Sequence, residues 1–393
     1  MSTVVSILLS DIVPLRERGT WQGILNIIYS AGASLEAPLG GFLADGIGWR
    51  WAFLGQVPIC LLAFGAVYKV LNLPDREKTA WRSSVRRIDF LGAAVLIAAV
   101  FTLLLALGRG SIVSWTNTVT LIAIGVSVPL FIAFVLVEAK IAKEPVAPGH
   151  IMFSRGLLPC YLCNFFAMAG YIAAVFYVSL YFQAVDGVSA SGAGLRLIPS
   201  ILCSVIGSVA GGLIMKKTGK YYRITLVVYI LLVAGMTTIF LCSGVLVAST
   251  TGIIIGMCIS GFTAGFGSTT TLIGIIANAS AADQAVATAC SYLYRSLGSV
   301  VGISVSATVL NQTLRDRLTA ELPKLGLGEH EAVDIARQVK ERLENLGTLE
   351  PRVRAVAVQY YAEGTSATFA LQTDLGAGAA ISAYFIIGKA LSR

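Results

Sequence analysis

Residues 89–108, DFLGAAVLIAAVFTLLLALG, contain no charge after Asp89 and no proline. A strand of a membrane barrel would alternate apolar and polar positions over about ten residues. This run does not alternate and is about twice that length. It therefore reads as a helix, because in lipid only a helix satisfies every backbone N–H and C=O within one segment. Crossing a bilayer takes about 20 apolar residues, and this stretch supplies them.

The same pattern recurs along nearly the whole 393-residue chain, which is 56% hydrophobic and 13% charged. A soluble protein carries about 25% charged residues. The class expected is an all-α, polytopic membrane protein. Full helices are expected at roughly 20–44, 50–72, 89–108, 117–138, 157–183, 193–215, 223–244, 250–278, 285–310 and 366–388. The opening MSTVVSILLSDIVPLRERG, residues 1–19, differs. Its apolar run from Val4 to Leu9 stops at Asp11, about half the length a span needs. It lacks the leading basic residue and the cleavage site of a signal peptide, so it reads as a partial helix.

Charge sets the orientation. With 11–19 on the cytosolic side, the cytosolic connections collect Arg16, Arg18, Lys69, Arg76, Lys78, Arg82, Arg86, Arg87, Lys140, Lys143, Arg155, Lys216, Lys217, Lys220, Arg223, Lys389 and Arg393. The short loops opposite hold Arg50, Arg109 and Arg196. The positive-inside rule selects this orientation. It also accounts for the net charge of +8 without a polyanion, so no nucleic-acid partner is expected. Residues 314–364 are polar, nearly charge-balanced and helical in pattern (ARQVKERLENL), and are expected as an extracytosolic loop. Asn311-Gln312-Thr313 is a glycosylation sequon at its entrance. Asn278-Ala279-Ser280 is a second sequon, expected at a cytosolic helix end and so unmodified.

Two charged linkers, 73–88 (PDREKTAWRSSVRRID) and 139–156 (AKIAKEPVAPGHIMFSRG), divide the chain. The blocks are 1–72, the helix pair 89–138, and six final helices over 157–393. The cysteine pair in CYLC, Cys160 and Cys163, has the spacing of a redox or zinc motif, but inside a membrane helix it reads as two small apolar side chains. His150 and His330 are too far apart to form a metal site. No Walker pattern and no Ser/His/Asp set appears. An enzyme is not expected, nor is a metal or a cofactor.

Several stretches resemble one family. DIVPLRERGTWQGILNIIYSAGASLEAPLGGFLADGIGWRWAFLGQVPI (11–59), YFQAVDGVSASGAGLRLIPS (181–200), ACSYLYRSLGSVVGISV (289–305) and the linker EPVAPGHIMFSR (144–155) are similar to the fourteen-span drug:proton antiporters of the major facilitator superfamily. The branch they resemble is the fungal vacuolar basic amino acid transporters and neighbouring drug exporters. The resemblance implies two six-helix halves with an extra pair between them, and a proton gradient as the energy source. It implies a small solute, cationic drug or basic amino acid, and a vacuolar or plasma membrane. On that frame 1–72 is a remnant of the first half and 157–393 is the second half. The fold expected is an incomplete major facilitator fold with about ten full helices plus a partial first one. Helices one to three are expected to be missing. The alternative function is a truncated, non-transporting membrane protein or a mis-started gene product, associating with another membrane protein. The gating motif Gly-x-x-x-Asp-Arg-x-Gly has only an echo in GLIMKKTGK (212–220), where Lys216 stands in place of the acid.

The resemblance also marks candidate residues. GASLEAPLGG (32–41) matches the antiporter packing motif at Gly32, Gly40 and Gly41, with Pro38 one place late and Glu36 in place of a glycine. A mid-membrane carboxylate costs a few kcal/mol and faces a cavity or a partner. Glu36 therefore binds a proton or a cationic substrate, or is neutralised at a helix contact. Arg295, about ten residues into its span, contacts a substrate anion or a coupling carboxylate, or binds carbonyls at the cytosolic rim. Asp374 is a candidate for proton coupling, or else a tolerated polar residue. Asn164, Tyr171 and Tyr177, with Thr263, Ser268, Thr269 and Thr270, either line a cavity or join helices by hydrogen bonds. The run GFTAGFGSTTTLIGI (261–275) reads as small-residue packing or a hinge.

Overall fold

The computed structural model describes residues 13, 21, 24, 25, 28, 32, 49–70, 89–112, 115–140, 148–280, 283–325 and 350–388. The architecture is all-helical. In order, the helices are α1 (Trp49–Leu54), α2 (Gln56–Val70), α3 (Phe90–Ile112), α4 (Thr118–Lys140), α5 (Gly149–Met152), α6 (Leu158–Ala184), α7 (Ala190–Thr218), α8 (Tyr222–Cys242), α9 (Thr250–Asn278), α10 (Gln284–Glu321) and α11 (Pro351–Tyr384). Seven of them, α3, α4 and α6 to α10, are long and apolar enough to cross a membrane. The protein is a multi-pass integral membrane protein.

Local sequence sets the ends of these rods. Ser189 and Ser249 cap α7 and α9 by accepting the N–H of Gly192 and Gly252, each at 3.2 Å. Gly219 closes α7 at φ +64°, a left-handed conformation that glycine adopts without a Cβ penalty. The expected helix over 50–72 is broken into α1 and α2 at Gly55.

Helices α6 to α11 form one bundle, and α6 packs against each of the other five. Helices α3 and α4 pack on each other, and α3 leans on α10. Where α7 crosses α9 the backbones touch. A β-carbon on Gly261 would overlap the Ser200 carbonyl oxygen, and one on Gly265 would overlap that of Ser204. Farther along, Ser208 and Thr269 share a 2.8 Å hydrogen bond. These pairs advance together along both chains, so the two helices run parallel, as the threading requires for spans two apart. Large buried tyrosines fill the rest, and their hydroxyls donate to carbonyls of other elements: Tyr161 to Ala287, Tyr177 to Ile303 and Tyr221 to Ile387. Outward faces are apolar, as lipid demands: Ile206, Val227, Ile230 and Ile255 are exposed.

Residues 314–325 and 351–364 are helical, continuing the flanking helices α10 and α11. Helix α10 continues to Glu321 and a 3₁₀ turn to Leu325, while α11 begins at Pro351 rather than near 366. The reason is an apolar seam at helical spacing on otherwise polar segments. Leu314, Leu318 and Leu322 are buried in the same core as Val353, Ala357 and Tyr361. Arg317 and Glu363 pair across the two helices at 3.4 Å. Asn311 therefore stands on a continuous helix, and the Thr313 hydroxyl donates to the Val309 carbonyl at 2.8 Å. At the other end α11 stops at Tyr384, short of 388. Asn278 ends α9 with its amide donating to the Tyr221 hydroxyl and the Gly274 carbonyl, both at 2.8 Å.

Candidate functional site

The polar interior of the bundle is built where α6, α9 and α10 meet. Asn164 is seven residues into α6 and buried. Its amide donates to the Ser291 hydroxyl of α10 at 3.1 Å, and its carbonyl oxygen accepts from Thr271 of α9 at 2.9 Å. Both polar ends of one side chain are thus used to join two other helices. One helical turn beyond Ser291 stands Arg295, half-buried, with its guanidinium 5.5 Å from the centre of the Tyr292 ring. No carboxylate among the described residues pairs with it. Arg295 also lies near enough to the buried Tyr229 of α8 to act on it electrostatically. Tyr229 packs where Gly267 of α9 leaves room. Tyr161 and Tyr294 stack beneath this group, with centroids 5.1 Å apart and planes at 10°.

The other candidates are placed as follows. Tyr171 is buried, and its hydroxyl lies 3.4 Å from Ser200, which donates to the Met257 carbonyl at 2.8 Å. Thr263 is buried and donates to its own helix, to the carbonyls of Ile259 and Ser260. Ser268, Thr269 and Thr270 likewise bond back to Gly265 and Gly267. Asp374 is exposed on the face of α11 opposite Gln372 and Gly376, the face that also carries exposed Ile381. Gly32 is helical and exposed. Glu36, Pro38, Gly40 and Gly41 lie outside the described residues. The structure therefore brings Asn164 and Arg295 to one region, with Tyr171 and Thr263 deeper between α6, α7 and α9. Cys160 and Cys163 are buried and free, and no metal-holding group occurs among the described residues.

Two polar groupings escaped the sequence reading. Asp89 caps α3 through Oδ1, which accepts from Gly92 N at 2.9 Å. Its Oδ2 is buried over the same glycine, whose missing side chain also leaves room for Glu138 of α4. Acids at the two ends of an antiparallel hairpin meet by its topology, which was the available signal. At the C-terminal end of α6, Asp186 takes Arg196 at 2.5 Å and Thr250 at 3.1 Å, fastening α6 to α7 and α9. Arg196 also covers the Phe182 ring at 5.0 Å.

A polytopic helical bundle with this buried polar interior agrees with what sequence comparison finds. The pattern of the Major Facilitator Superfamily matches residues 1–303. This chain belongs to the Major Facilitator Superfamily. It is 34% identical over 374 residues to the multidrug resistance protein fnx1 of Schizosaccharomyces pombe, covering 94% of this chain and 70% of that one. It is 38% identical over 327 residues to the vacuolar membrane amino acid uptake transporter fnx2 of the same yeast, covering 82% of this chain. The vacuolar basic amino acid transporter 2 of Saccharomyces cerevisiae is 31% identical over 401 residues, covering 97% of this chain and 81% of that one. The match spans 56% of the length of fnx2. As a facilitator the chain sits in a lipid bilayer, and its family handles small molecules.

Proposed function

We propose that this facilitator moves amino-acid or drug-like solutes across a vacuolar or plasma membrane in exchange for protons, as a member of the fourteen-span branch. The observation that carries the reading is the likeness to two vacuolar amino acid transporters and a multidrug resistance protein over most of the chain. The bundle is consistent with it. Six helices tied through α6 form a body that can rock as a unit, the motion by which facilitators alternate access. Coupling to protons falls to the carboxylates Glu36 and Asp374, the latter on an outward face of α11.

The test is uptake of labelled lysine, histidine and a cationic dye into proteoliposomes with an imposed pH gradient. The expected result is accumulation that a protonophore abolishes and that Asp374→Asn uncouples from the gradient. Uptake indifferent to the gradient would overturn proton exchange. No uptake of any of the three would overturn the solute classes.

A further inference from the structure

We propose that Cys203 of α7 and Cys258 of α9 form an oxidisable dithiol, which a membrane-permeant peroxide converts to a disulfide that staples the two helices. The placement follows from the close crossing of α7 and α9. Ser200, Ser204 and Gly207 of α7 line one side of it, and Gly261 and Gly265 of α9 line the other. Cys203 stands next to Ser204 and one turn from both Ser200 and Gly207. Cys258 follows Met257, whose carbonyl accepts from Ser200 at 2.8 Å, and precedes Gly261 by one turn. Both cysteines therefore flank the same line of contact. Packed helices commonly lie about 8–10 Å apart. Here a β-carbon on Gly261 would overlap the Ser200 carbonyl oxygen. Backbones that close draw flanking Cα atoms toward the separation of about 4.4–6.8 Å that a disulfide spans. The two thiols lie within hydrogen-bonding reach of each other. Tyr171 of α6 is near enough to both sulfurs to act on them electrostatically, and its hydroxyl is held 3.4 Å from Ser200.

Access is in keeping with this. Cys160, Cys163 and Cys290 are buried, whereas Cys203 and Cys258 are both only half-buried. Both lie inside apolar spans, so the oxidant that reaches them is small and neutral, a hydroperoxide of the bilayer or hydrogen peroxide. One sulfur attacks the O–O bond. The hydroxyl passes to that sulfur as a sulfenic acid, and the thiol proton goes to the leaving oxygen, which departs as an alcohol or as water. The second sulfur then attacks the sulfenic sulfur. An S–S bond forms, and the hydroxyl leaves as water with the second thiol's proton. The thiols lose two electrons and the peroxide gains two. A second thiol within reach captures the sulfenic acid before it is oxidised further. The bridge joins positions on either side of the whole of α8, and a cross-link over a loop of that length restricts the unfolded chain.

The experiment treats the full protein, in nanodiscs of saturated lipid, with tert-butyl hydroperoxide. It reads the thermal midpoint and, by mass spectrometry without reduction, the peptides that become joined. Wild type is expected to give a Cys203–Cys258 bridge, two hydrogens lighter than the paired thiol peptides, and a midpoint raised by at least about 3 °C. Dithiothreitol should reverse both. Cys203→Ser and Cys258→Ser are each compared with their own untreated form and should show no rise. Absence of the bridge in wild type, with the two cysteines still free or carried on to sulfinic acid, overturns the proposal. A bridge that leaves the midpoint unmoved overturns the staple, and so does a rise that survives in either serine variant. Neither readout involves transport, so the result stands apart from the solute reading above.

Discussion

Replacing Gly265 by alanine should part the two most closely apposed helices of the bundle. A β-carbon there would lie 2.8 Å from the Ser204 carbonyl carbon and 2.9 Å from its Oγ, with the carbonyl oxygen nearer still. Ordinary contact begins near 3.4 Å, so α7 and α9 must separate by at least 0.6 Å and, to clear the oxygen, by up to about 1.5 Å. Even a gap of roughly 0.5–1 Å forfeits about a quarter to a half of each dispersion well. Some 40–60 atom contacts of roughly 0.1–0.2 kcal/mol, reduced by a quarter, amount to about 1–3 kcal/mol. That matches the usual cost of overpacking, about 1–3 kcal/mol. The gain in helix propensity from glycine to alanine works the other way, by up to about 1 kcal/mol. Gly125 of α4 controls for it, since nothing lies within 4 Å of its β-carbon position. The comparison is thermal unfolding of Gly265→Ala and Gly125→Ala in the same detergent. Gly265→Ala should be the less stable by about 1–3 kcal/mol. Equal midpoints would refute the close approach of α7 and α9.

Asn164→Ala removes both helix-to-helix bonds and leaves Ser291 without its donor. The expected loss is about 1–2 kcal/mol, read as a lower midpoint in detergent. Leu318→Ala opens a cavity in the seam between α10 and α11. It should cost about 2–5 kcal/mol and speed proteolysis in that hairpin, and an unchanged cleavage rate would argue against the buried seam. Asp186→Asn breaks a pair whose side chains are 33% and 19% exposed, so solvent screening limits its worth to about 0.2–1 kcal/mol. The deficit should shrink in 1 M salt, and one that persists undiminished would mean the latch acts through packing instead of charge.

The spans were legible because lipid imposes one pattern, a run without alternation about 20 residues long. The ends of α6 and α9 fell within a residue of expectation for that reason. The seam of Leu314, Leu318 and Leu322 was harder to see. Three leucines at helical spacing among charges extend a span into water without changing its mean hydropathy enough to stand out. Asn164 was legible as a polar residue in a span, but its partners were not. Thr271 and Ser291 come 107 and 127 positions later, and which helix faces α6 follows from packing, not local pattern. Arg295 stood out by charge alone. The meeting of Asp89 with Glu138 needs the hairpin to be closed before it can be seen.

The reach of Asn164 has a consequence for how the protein is made. At roughly 5–20 residues per second, synthesis takes about 5–20 s to travel from Asn164 to Thr271, and longer to Ser291. Throughout that interval α6 exists while the groups that complete its amide do not. An unsatisfied polar group in hydrocarbon costs several kcal/mol, so release of α6 alone into lipid is unfavourable. Insertion order and packing order therefore differ, and α6, the first helix of the bundle to be made, is among the last to settle.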